Sequence, residues 1–128
     1  MKTAIVCTAL LGLLLFGLGL YVSLLRQFRR VIIGHPADPT DPMHRAVRAH
    51  ANTAEYAPML GLLFLWLGAH DPADWVVATV IAATASRFVL VAGLLWWPTL
   101  AKPNPARFLG ALVTYLCGLA LAAAALAS

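Results

Sequence analysis

Apolar positions fall into four long stretches, 3–25, 57–69, 75–97 and 108–127, separated by short polar segments. The first, third and fourth reach the roughly 20 residues that a helix needs to cross about 30 Å of hydrocarbon. The second is shorter, but it extends toward the N-terminus through Asn52 and Glu55 without a helix breaker. Lipid offers no water to backbone amides, so such stretches must be helical. The pattern predicts helices over about 3–27, 42–69, 75–97 and 106–127. Nothing is left over for a soluble unit. Residues 1–128 are expected to form a single domain, an all-α membrane protein built as an antiparallel bundle of four transmembrane helices.

The boundaries have their own chemistry. Residues 34–40, Gly-His-Pro-Ala-Asp-Pro-Thr, are loop formers. Asp41 before Pro42 reads as an N-cap with proline in the first turn. The second helix then runs for about 40 Å, longer than the hydrocarbon, so its first turns are expected in the headgroup zone. Pro58 lies within it and should kink it. Small residues recur every fourth position at Gly110, Thr114, Gly118 and Ala122, and at Ala78, Ala82 and Ser86. Each row suggests a ridge along which membrane helices approach closely.

Composition agrees with lipid as solvent. The chain is 62% hydrophobic and 11% charged, with mean hydropathy +0.84, and so few charges cannot cover a soluble surface. The cations are placed asymmetrically. Arg26, Arg29, Arg30 and Arg45 flank the first loop, Lys102 and Arg107 the third, and the second loop has none. The first and third loops are therefore expected in the cytoplasm and both termini outside, with Lys2 alone dissenting. Trp75 and the Trp96-Trp97 pair mark the two interfaces. The first stretch reads as a span rather than a leader, being longer than a signal core and lacking a small-residue cleavage site before Arg26. Cys7 and Cys117 sit in apolar helices and read as small hydrophobes. His35, His44, His50 and His70 show no metal-ligand spacing, so no metal is expected. The basic balance belongs to a membrane surface, and no nucleic-acid partner is expected.

Candidate chemistry concentrates in residues 48–58, Arg-Ala-His-Ala-Asn-Thr-Ala-Glu-Tyr-Ala-Pro. Arg48, Asn52 and Glu55 fall within about 60° of one another on a helix. Counting from Ala69, Glu55 lies about 21 Å and Asn52 about 26 Å from the outer surface. A carboxylate at that depth is costly unless compensated. Arg87 lies about 18 Å from the same surface on the third helix, and a Glu55–Arg87 pair is the expected compensation. Arg107 and Arg48 lie higher, at about 29 and 31 Å. The expected site has an intramembrane Glu/Asn/Arg layer beneath a cationic rim of Arg26, Arg48 and Arg107.

This stretch resembles the second-helix signature of the MAPEG superfamily, the membrane-associated proteins of eicosanoid and glutathione metabolism, of the form R-A-x-x-N-x-x-E-x-x-P. Arg87 in the third helix and Arg-Phe-Leu-Gly from Arg107 to Gly110 agree with it, as does the long first loop. The likeness covers essentially the whole chain and points to the compact bacterial branch, hence to a bacterial inner membrane. It implies a homotrimer with glutathione as co-substrate held between neighbouring subunits. Arg48, Asn52 and Glu55 would hold the tripeptide with Tyr56 nearby, Arg107 would stabilise its thiolate, and Arg26 and Arg87 would support the site. The activity implied is a glutathione-dependent transferase or peroxidase acting on small lipophilic electrophiles or hydroperoxides that arrive from membrane lipid.

Two positions depart from the enzymatic pattern. Tyrosine or histidine is expected a turn or two after the helix-three arginine, where this chain has Leu90 and Leu94. The third loop is also longer than in the leukotriene-forming enzyme, which loosens the register of Arg107. The alternatives are a non-catalytic trimer that binds lipid or another ligand, and a structural trimer in which Glu55 and Arg87 only fix packing.

Overall fold

The computed structural model describes residues 1–128 and contains α1 (Lys2–Arg29), α2 (Pro42–Ala69), α3 (Asp74–Trp96) and α4 (Pro105–Ala127), with no strands. Local chemistry sets the ends. Asp41 accepts from the Met43 amide at 2.7 Å and the His44 amide at 3.4 Å, ahead of Pro42 at the first helical position. Asn104 does the same for α4, accepting from the Arg107 amide at 3.1 Å, ahead of Pro105. Both satisfy amides that a helix start otherwise leaves unpaired. Helix α1 closes differently. Arg30 adopts φ 56°, ψ 37°, the Val31 amide donates to the Arg26 carbonyl at 3.0 Å and the Arg30 amide to that of Gln27 at 3.3 Å. That closure normally uses glycine, and a side chain there costs about 1–2 kcal/mol.

Contacts along the helices establish the antiparallel order. Gly68 faces Ala4, Gly61 faces Thr8 and Gly19 faces His50, so numbers fall along α2 as they rise along α1. Between α3 and α4, the Ser86 and Thr114 hydroxyls are 2.9 Å apart, Leu90 faces Gly110 and Gly93 faces Arg107. Helices α1 and α4 make no contact, because α2 and α3 lie between them.

The interior has two apolar clusters with a polar layer between. Leu11, Leu60, Phe64, Val80 and Leu121 belong to one, and Leu18, Ala49, Leu90, Val91 and Leu94 to the other. Buried Thr53, Ser86, Arg87 and Thr114 lie at intermediate positions along the helices. The outer surface is apolar: Leu13 is 72% exposed, Phe16 78% and Leu119 71%. Such a surface suits lipid rather than water. Helices α1, α3 and α4 are long and apolar enough to cross a membrane. Helix α2 matches α1 in length at 28 residues, but its first half carries the polar run from His44 to Glu55.

The small-residue rows divide. Gly110 and Thr114 are buried against α3. Ala78 and Ala82 are exposed, so of the expected α3 row only Ser86 packs against a neighbouring helix within the protomer. A strict step of four drifts about 40° per turn around a helix, and α3 meets α4 through Ser86, Leu90 and Gly93 instead.

Candidate functional site

A cleft of about 900 Å³ opens between α2, α3 and α4, at the end that carries the first and third loops. Arg48 and Asn52 line it from α2, Leu90 and Leu94 from α3, and Arg107 and Tyr115 from α4. His44 and Asn104 stand at its mouth, and no carboxylate lines it. An anion is the ligand such a lining favours.

The mouth is tied together from several directions. The Leu100 amide donates to the Pro39 carbonyl at 3.0 Å, joining the two long loops. Arg45 donates to the Trp97 carbonyl at 2.8 Å. Asn104 also donates through Nδ2 to the Gly93 carbonyl at 2.7 Å, so the residue that starts α4 is anchored to α3. The Arg107 guanidinium donates to the Leu100 carbonyl at 3.1 Å and is only half-buried, which leaves other N–H groups available. The Arg48 side chain is exposed and its guanidinium makes no hydrogen bond within the chain.

Behind the cleft wall lies Arg87, 1% exposed. Its terminal nitrogen donates to Asn52 Oδ1 at 2.7 Å and to the Asn52 carbonyl at 3.1 Å. Its Cζ lies 5.3 Å from the centre of the Tyr56 ring, within reach of a cation–π attraction. The Tyr56 ring is in turn 5.6 Å from that of Tyr115. A column of side chains thus runs from Asn52 through Arg87 and Tyr56 to Tyr115.

Two expectations need correction. Glu55 forms no ion pair with Arg87 within the protomer; the chain's salt bridge joins Arg29 to Asp41. The buried stripe of α2 runs through Ala49, Thr53 and Ala57. Asn52 lies about 100° from Thr53 around the helix and Glu55 about 160°, so Asn52 meets Arg87 and Glu55 faces outward, exposed. Arg26 likewise does not join Arg48 and Arg107 in one rim. It lines a separate groove between α1 and α2 with Ser23 and His50. Because α1 and α4 do not touch, Arg26 and Arg107 belong to different faces of the protomer.

Sequence reasoning missed Tyr115 and Asn104. Tyr115 lies two steps of four from Arg107, past Ala111, and that spacing was the available signal. Asn104-Pro105 repeats the Asp41-Pro42 start of α2, which also gives the register of Arg107 that loop length alone left open.

No curated protein and no solved structure matches the chain. The MAPEG family model matches residues 4–127, a span that includes all of α3 and α4, the long α2 and every side chain of the cleft. With that coverage and a bundle of apolar helices to match, the chain belongs to the MAPEG family.

Proposed function

We propose that the protein is a glutathione-dependent membrane transferase or peroxidase that works as a homotrimer. Four crossings would put both termini outside and the cleft toward the cytoplasm, where glutathione is found. The observation that carries this reading is the cleft itself, which holds Arg48, Asn52 and Arg107 and no carboxylate. Glutathione is a net anion, and guanidinium–carboxylate pairs are the strong way to hold one. Arg107 is the residue for the thiol. Its backbone is held by Asn104 and one N–H by Leu100, while its charge favours the thiolate over the thiol. In a transferase the thiolate sulfur forms a bond to an electrophilic carbon as that carbon's leaving group departs with its electron pair.

Glu55 and Arg26 enter this reading through assembly. Glu55 faces outward from α2, and Arg26 lines the α1–α2 groove. A ligand held between protomers would meet Glu55 through its ammonium and the neighbouring subunit's Arg26 through a carboxylate. Arg87 and Tyr56 would support Asn52 from behind.

The test is glutathione added to detergent-solubilised protein, with thiolate absorbance followed in the parent and in Arg107→Ala. The parent is expected to show the thiolate band and Arg107→Ala to lose it, with turnover reduced about a hundredfold or more. A parent that binds no glutathione at millimolar concentration would end this reading. Binding without the band would favour a non-catalytic lipid- or ligand-binding trimer. One observation supports that second reading: Leu90 and Leu94 place apolar side chains on the α3 wall of the cleft.

A further inference from the structure

Arg87 is the largest side chain that the bundle encloses completely, and its contact with Asn52 determines which edge of that amide meets the cleft. A guanidinium donates and never accepts. The Asn52 atom at 2.7 Å must therefore be the side-chain oxygen, Oδ1. With its oxygen engaged, the amide has only its NH2 group to offer elsewhere. Nδ2 has no partner in the chain and is not among the enclosed, unpaired side-chain atoms. Asn52 lines the cleft, whereas Arg87 does not. Nδ2 is thus accessible and unpaired, and the cleft is a space that Asn52 lines.

We infer that Arg87 is a positioning residue that holds the Asn52 amide with its NH2 edge toward the cleft, so that this position reads a carboxylate or carbonyl oxygen and rejects an ammonium. The inference rests on the glutathione reading for the identity of the ligand, and on the Arg87–Asn52 contact for everything else. It assigns Asn52 to an oxygen of the tripeptide, beside the cations Arg48 and Arg107 in the same cleft. The ammonium is left to another group. Without Arg87 the amide would be free to turn over, presenting donor or acceptor as the ligand required, and discrimination at this position would be lost.

Asn52→Asp tests the orientation with little change of shape. Its Oδ1 still accepts from Arg87, now as a carboxylate, while the edge facing the cleft changes from a donor to an anion. Glutathione binding by the purified protein in detergent, measured by calorimetric titration, is expected to weaken about tenfold to a hundredfold. The thermal midpoint should hold or rise. Equal or tighter binding by Asn52→Asp would overturn the inference, because the ligand would then be meeting the oxygen of Asn52.

A second comparison isolates Arg87. Arg87→Met should weaken glutathione binding in the parent, yet add no more than about twofold in an Asn52→Ala background, since a residue acting through Asn52 has nothing left to orient. Independent, additive losses would remove its positioning role. Melting needs no ligand at all. Asn52→Asp should be more stable relative to Asn52 when Arg87 is present than when Arg87 is Met. An Asn52→Asp effect on the midpoint that is the same with Arg87 as with Met would mean that the contact is absent. If the parent fails to bind glutathione, the functional reading falls, and the melting comparison still decides the orientation.

Discussion

The carboxylate of Asp41 serves two partners. It caps α2 and takes the Arg29 guanidinium at 2.7 Å, pinning the end of α1 to the start of α2 across the first loop. The Arg29 hydrogen bond, helped by the Met43 and His44 amides, holds its carboxyl below the ordinary carboxylate range against the opposing effect of desolvation. A depressed value in the folded state means that the contribution is present above the unfolded carboxyl's titration. It is lost as pH falls through the folded one. Asp41→Asn keeps a good cap and removes the charge. Thermal midpoints of the two proteins should differ by a few degrees at most near neutrality and converge on acidification. A difference that grows in acid would contradict the ion pair's contribution. At this same scale, Arg48 and Asn52 were legible as one polar face. The partner of Arg87 was not, because the choice between Asn52 and Glu55 depends on how α2 is turned toward α3.

Helices α3 and α4 are joined more closely than their apolar sequences suggest. A Cβ on Gly110 would come within 2.7 Å of the Leu90 amide nitrogen, and one on Gly93 within 2.8 Å of the Arg107 nitrogen. These are backbone atoms, which cannot swing aside as a side chain would. Gly110→Ala should therefore cost about 1–3 kcal/mol through overpacking, read as a lowered thermal midpoint in detergent. The same substitution at Gly12, where nothing lies within 4 Å, should be nearly silent. Equal effects at the two positions would show that α3 and α4 do not meet as described. The close approach also matters to the cleft, since Leu90 and Arg107 are the residues that it brings together from opposite walls. Asn104 completes the arrangement by capping α4 and bonding to Gly93 at once.

At the level of the molecule, Arg26 and the cleft lie on different faces of one protomer. If both serve one ligand, they must come from neighbouring subunits. Mixed oligomers provide the test. Arg26→Ala and Arg107→Ala proteins, each impaired alone, should regain activity when co-assembled at equal amounts. About a quarter of the sites would then combine an intact Arg26 from one protomer with an intact Arg107 from the next. Absence of recovery in verified mixed oligomers would place both arginines in the service of one protomer or remove Arg26 from the site. The exposed apolar surface of α1 and α4 leaves ample area for lipid around such an assembly.

Length, apolar runs and cap residues were sufficient to determine four helices and most of their ends, because helix formation in a membrane answers to local chemistry and backbone hydrogen bonding. They also determined that Arg48, Asn52 and Glu55 share one side of α2, since helical spacing is a property of the chain alone. Only the tertiary structure decided which of these side chains meets Arg87, which side of α3 faces α4, and that Arg26 lies apart from Arg107. Those outcomes depend on the rotation of each helix about its axis. That rotation is set by the packing of small and bulky side chains against neighbouring helices, which no single stretch of sequence contains.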